Sequence, residues 1–320
     1  MLARSMAVAA LLFAAPPVVV EYVIPRPDNF PHDPAVGADG IVWYTDYSNS
    51  YIGRMDPATG QITDVETPTP NSLPHGIEVG GDGTVWYTGQ RAGVIGRLDP
   101  ATMAIREFPL PPETNHPHTP HLLAGRVWFT DANNNRYGVL DPATGRVQTW
   151  VAAASGNSIP YGLVDGPDGM LYIAHFGTNA IGRVNPADGT EQLFRLPNAG
   201  ARPRRLQVAG NGIVYYTDFA RGFLGALDPR TGAVREFPCS TPGAGPYGIV
   251  IDNDGLVWFN ESATSLMRTF DPRTEQMASV RIPTAGSTVR HISIDRTRGR
   301  IWLALSGTGR LGRIDTTPAH

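Results

Sequence analysis

The chain has 320 residues, with 26 basic residues that are all arginine, 29 acidic residues, a formal charge of −3 and a single cysteine, Cys239. That balance gives no electrostatic basis for binding nucleic acid or an anionic membrane. It excludes lysine Schiff-base or general-base chemistry, an internal disulfide and a cysteine metal cluster.

In chain order, the first feature is Met1–Ala15, MLARSMAVAALLFAA. Arg4 followed by a short apolar run and small residues has the form of a secretory signal peptide, too short to span a membrane. Its cleavage near Pro16 and Pro17 would leave a secreted or periplasmic protein; without cleavage the chain would be cytoplasmic.

From there a single unit recurs seven times. Its first residues are His32, His75, His118, Tyr161, Arg204, Tyr247 and His291, separated by steps of 43 residues and a last step of 44. Six of the seven follow a proline. An aromatic comes 11 residues later, or 10 in the third unit: Trp43, Trp86, Trp128, Tyr172, Tyr215, Trp258 and Trp302. A period in the low forties with aromatic strands and Gly/Asp turns signals a β-propeller with one four-stranded blade per unit. The expected fold is therefore all-β, a seven-bladed propeller of antiparallel blades over residues 19–315.

The second unit shows the order of elements. Ile77–Val79 forms the inner strand, Gly81-Asp82-Gly83 a hairpin turn, and Thr84–Thr88 a strand rich in β-branched and aromatic residues. Val94–Leu98 follows, then the turn Asp99-Pro100-Ala101-Thr102 and the outer strand Ile105–Leu110. The 36 glycines and 29 prolines fall in register with these strands, so they mark turns and not low complexity. The last unit stops after Arg310–Ile314. The apolar piece Val19–Pro25 resembles outer strands such as Arg106–Pro109, so the N-terminal strand is expected to complete the last blade and remove two free sheet edges.

The first residue of each inner strand and the last of each second strand lie at one end of the blade. One mouth of the channel should thus gather His32, His75, His118, Tyr161, Arg204, Tyr247 and His291. Asp46, Asp131, His175, Asp218 and Glu261 should edge it, with His116 and His121 beside His118. Histidine is the usual proton shuttle near neutrality and a frequent metal ligand; the same large side chains would also serve simply to plug a narrowing channel.

The blade wording Pro74-His75-Gly76-Ile77 with Asp82–Thr88, Pro246–Ile249 with Asp254–Phe259, and Ile52–Met55, Ile95–Leu98 and Ile181–Val184 resembles the streptogramin B lyases (virginiamycin B lyases), which are seven-bladed propellers. The likeness runs from about Val19 to Asp315. It implies opening of a cyclic depsipeptide at its ester by elimination, with a histidine base and a bound magnesium that demands oxygen ligands. His291 matches the family's base. The family's metal carboxylates fall at Val289 and at Leu305 or Ser306; Tyr247 and His32 stand where the family has histidine and tyrosine. The family's blade order also occurs as His75, His118, Tyr161. A constellation rotated by two blades would make His118 the base, with Asp131 near one metal-carboxylate position and His116 at the other, a set that favours zinc, manganese or iron over magnesium; His175 is a further candidate metal ligand.

The expected activity is a lyase-like elimination of an ester or glycosidic bond of a small or oligomeric substrate at the mouth. His291, His118, Tyr161 and Tyr247 would be catalytic, and His32, His75, Arg204 and Glu261 would bind substrate. The alternatives are a non-catalytic module gripping a peptide, sugar or protein, and a metal-dependent hydrolase of the lactonase kind. No nucleophilic-serine, P-loop or dinucleotide motif occurs in the right context. A ring closed internally makes a monomer the default.

Overall fold

Each 43-residue unit folds back on itself three times because its apolar strands are separated by turns that only a few residues make well. In blade 2 the strands Pro74–Val79, Val85–Gly89, Val94–Leu98 and Ile105–Pro109 pair in chain order, all antiparallel. Gly83 turns the first hairpin at φ +84°, a left-handed value that costs glycine nothing. The middle strand needs another glycine for space. A Cβ on Gly96 would lie 2.0 Å from the ring of Tyr87, which packs across it from the neighbouring strand. This explains the repeated Ile-Gly-Arg wording.

A computed structural model of the chain describes residues 17–239 and 241–317. The expected leader at Met1–Ala15 lies outside the described residues, as does His320. Seven four-stranded antiparallel sheets are arranged in a ring, a seven-bladed β-propeller. Blades 1 to 6 cover residues 31–66, 74–109, 117–151, 160–195, 203–238 and 246–281. Blade 7 consists of Val289–Asp295, Arg300–Leu305 and Arg310–Asp315, completed on its outside by Val19–Val23. That strand pairs with Arg310–Asp315 through five residue pairs, from Val19 with Ile314 to Val23 with Arg310. No helix among the described residues is long and apolar enough to cross a membrane.

The seven repeated aromatics, from Trp43 to Trp302, are all buried between blades. Polar staples join blades closer to the axis. Thr45, Thr88, Thr130 and Thr217 each donate a side-chain hydrogen bond of 2.8 Å to the carbonyl of the next blade's mouth residue, namely His75, His118, Tyr161 and Tyr247. Asn260 and Ser306 make comparable links one residue earlier in the next blade, to the carbonyls of Val289 and Pro31. The threonine ending each Trp-Tyr-Thr stretch is thus the group that fixes the height of the mouth residue beside it.

Candidate functional site

The inner strands bring His32, His75, His118, Tyr161, Arg204 and Tyr247 together at one end of the channel, as the spacing requires. His291 is not among them. In blades 1 to 6 the proline before the mouth residue pairs with the end of the second strand, as Pro246 does with Glu261. In blade 7 the residue so paired is Val289, with Leu305, so Arg290 takes the mouth position and His291 lies one residue deeper. The period never changes from 43; the added residue sits in the blade 7 hairpin, between Ile294 and Ile301.

The mouth ring divides into two arcs. In the first, His32, His75 and His118 pack side by side, with ring centroids 4.0 and 3.9 Å apart, and His118 lies 3.7 Å from Tyr161. Their exposure is 5% or less. Burial first, then nearby cations and one another, hold all three well below the ordinary imidazole range, so they are neutral. His32 directs Nδ1 at Asp33 (2.7 Å) and His118 directs Nδ1 at Thr119 (2.9 Å), which leaves Nε2 of each without a protein partner and not enclosed. In the second arc the hydroxyls of Tyr161 and Tyr247 share a 2.6 Å hydrogen bond, and Arg204 donates to Tyr161 at 3.0 Å. The Arg204 guanidinium is held among four aromatic faces, 3.8 Å from Tyr247, 4.3 Å from Phe219, 4.9 Å from Phe176 and 5.1 Å from Tyr161. Burial and the adjoining Tyr247 keep the Tyr161 hydroxyl well above the usual phenol range, so it stays a donor.

One residue below the ring, side chains from four blades close the channel. Arg205 of blade 5 reaches across the axis to Asp33 of blade 1 (3.2 Å) and Thr119 of blade 3 (3.1 Å). His291 of blade 7 stands 3.9 Å from the same Asp33 oxygen. Burial and then Arg205 push His291 down to about 3. Beyond this septum a cavity of about 410 Å³ opens to the opposite end, lined by Asp33, Thr119, Arg205 and His291 at its floor. His121 lies on that wall, not beside His118 at the mouth. Burial works against its protonation, but Glu78 at 3.4 Å and Asp165 at 3.3 Å outweigh that and raise it to about 10.

The residues expected to edge the mouth face elsewhere. Asp46, Asp131 and Asp218 turn into the blades, where each accepts the backbone N–H of the residue before the proline: Phe30, His116 and Arg202. His175 is wholly buried in blade 4, 2.6 Å from Glu191, and Glu261 is buried against Thr264 and Arg268. The structure therefore does not bring His116, Asp131 and His175 together, and Glu261 does not face the opening. The rim is made one residue further on, where Tyr47, Phe176 and Phe219 pack in tilted or edge-on contact against His32, His75, Tyr161 and Tyr247. Sequence reasoning missed these three and Arg205. The signal available was the aromatic that directly follows the strand-ending Asp46, His175 or Asp218.

Comparison with known proteins agrees with this fold. The virginiamycin B lyase family matches the chain over residues 14–151 and 120–319. The chain belongs to that family. Among solved structures, a streptogramin B lyase is 25% identical with a TM-score of 0.86, covering 94% of this chain and 98% of its own. A virginiamycin B lyase from Staphylococcus aureus is 24% identical with a TM-score of 0.86, covering 93% and 99%, and a catalytically inactive histidine-to-alanine form of it with quinupristin matches equally. Hydrazine synthase from Kuenenia stuttgartiensis, at 13% identity and a TM-score of 0.77, shares the fold, with 92% and 98% covered. No curated protein sequence matches the chain.

The magnesium that the resemblance implies does not fit where the family would hold it. Val289 and Leu305 are fully buried hydrocarbon, and the Ser306 hydroxyl is bound to the carbonyl of Pro31. A hard cation needs oxygen ligands, and these positions supply no carboxylate.

Proposed function

We propose that this virginiamycin B lyase family member is a lyase-like enzyme that opens an ester or glycosidic bond by elimination at the mouth ring. The observation that carries the reading is the division of that ring: neutral histidines on one arc and a fixed guanidinium with a protonated phenol on the other. His118 borders both arcs. Its Nε2 is the base suited to take a proton from a carbon α to a carbonyl. The released electron pair forms a carbon–carbon double bond, the bond from the β carbon to the leaving oxygen breaks, and that oxygen departs with its electrons. Negative charge gathering on the carbonyl oxygen during this step is met by Arg204 and the Tyr161 hydroxyl, which are already oriented and need no rearrangement. The aromatic rim of Tyr47, Phe176 and Phe219 offers apolar surface for a bulky cyclic or oligomeric substrate.

The test is turnover of cyclic depsipeptides, simple esters and uronides in ¹⁸O-labelled water. Elimination gives an unsaturated product free of label, whereas a hydrolase incorporates it. His118→Ala should lower kcat/KM by about 10²–10⁴-fold. Label in the product, or undiminished activity of His118→Ala, defeats the assignment; tight binding without turnover would instead make the mouth a recognition site.

A further inference from the structure

Three donor groups meet where the histidine arc touches the septum. A ring nitrogen of His32, a carboxylate oxygen of Asp33 and a ring nitrogen of His75 come from two adjacent blades, and the ligand atoms all lie within 4.8 Å of one another. The three residues are 5%, 2% and 4% exposed. His75 Nδ1 is buried and has no hydrogen-bond partner. An orphaned nitrogen of this kind costs stability unless something occupies it. Its neighbours His32 and His118 each direct the same nitrogen at the side chain of the next residue, Asp33 or Thr119, whereas His75 is followed by Gly76, which leaves this nitrogen open to another partner.

We propose that His32, Asp33 and His75 form a binding site for one transition-metal ion of the zinc class, with its remaining coordination position toward the mouth. Two imidazoles and one carboxylate are a borderline ligand set, better matched to zinc or cobalt than to magnesium or calcium. Tetrahedral zinc at ordinary bond lengths sets its donor atoms about 3.3 Å apart. The present 2.7 Å between His32 Nδ1 and Asp33 Oδ1 must therefore open slightly, and the proton now shared there must leave. Arg205 engages the other Asp33 oxygen, so it fixes the carboxylate without occupying the ligand atom. Its charge opposes the ion and moderates the affinity. The site differs from the family's metal positions at Val289 and Leu305, and it does not rest on the elimination reading above.

The experiment uses the full chain, stripped with a chelator and titrated with cobalt(II), the visible bands of the bound ion reporting ligand number and stoichiometry. One equivalent should bind with a four-coordinate spectrum and be displaced by zinc. His75→Ala and the size-matched His75→Asn should each weaken binding at least tenfold, as should His32→Ala, with the circular dichroism of the folded chain retained. His121→Ala, at the far opening, should leave it unchanged. Absence of saturable binding in the unaltered protein overturns the proposal, as does affinity that survives His75→Asn in a folded protein.

Discussion

His118 and His121 are three residues apart on one strand, yet the septum of Asp33, Thr119, Arg205 and His291 separates them, and the first is neutral while the second is a cation. His118 faces other imidazoles, with the buried Arg205 and Arg204 nearby, so protonation would add a cation to a site already rich in them. His121 faces Glu78 and Asp165, so protonation completes an ion pair on each side. Both are histidines in one channel wall; charge neighbours decide which is a base and which a cation. The mouth histidines are thus neutral, each with a lone pair available, while His121, already protonated, has none to offer.

The contrast holds only while the ring is closed, so the largest effect should come from deleting Val19–Val23. That leaves Arg310–Asp315 as an unpaired edge, and the protein should aggregate or lose its cooperative thermal transition, as calorimetry would show. Next is Arg205→Met, which strips the septum of its cation and leaves Asp33 buried beside neutral groups. A loss of about 3–5 kcal/mol is expected in urea unfolding, and adding Asp33→Asn should recover most of it.

Acid tests the mouth directly. His32, His75, His118 and His291 take up protons more readily unfolded than folded, so below pH 6.5 each costs about 1.4 kcal/mol of stability per pH unit until its lowered folded value is reached. Thermal melts should fall steeply between pH 6.5 and 5, and a flat profile there would contradict the neutral arc. His121 has the opposite sign. Its contribution is complete below pH 6.5 and disappears as pH rises toward 10; because Asp165 is half exposed, the whole effect should be about 1 kcal/mol. His121→Gln should remove that alkaline slope and leave the acid one intact.

Much of this was legible in the chain. The 43-residue period, the Gly and Asp-Pro turns and the missing last outer strand specify seven blades closed by the N-terminal strand, because each is a local demand of strand pairing. The mouth ring was legible too, apart from its seventh member. His291 drew attention because it is a histidine, whereas the unbroken period points to Arg290. Strand pleat explains the other misreadings. Side chains alternate, so a residue ending a strand can turn into the blade, as Asp46, Asp131 and Asp218 do, while the next residue forms the rim.

The sequence by itself determined the repeat, the blade grammar and which residue reaches the axis in six of the seven units, since these follow from local turn chemistry and a constant spacing. Only the tertiary structure decided that Arg205 spans the channel to Asp33, that Tyr161 bonds to Tyr247, and that His175 belongs to Glu191. Those contacts depend on side chains 172, 86 and 16 residues apart meeting in space. Burial and the charges met there set each group's protonation, and no stretch of sequence carries that information alone.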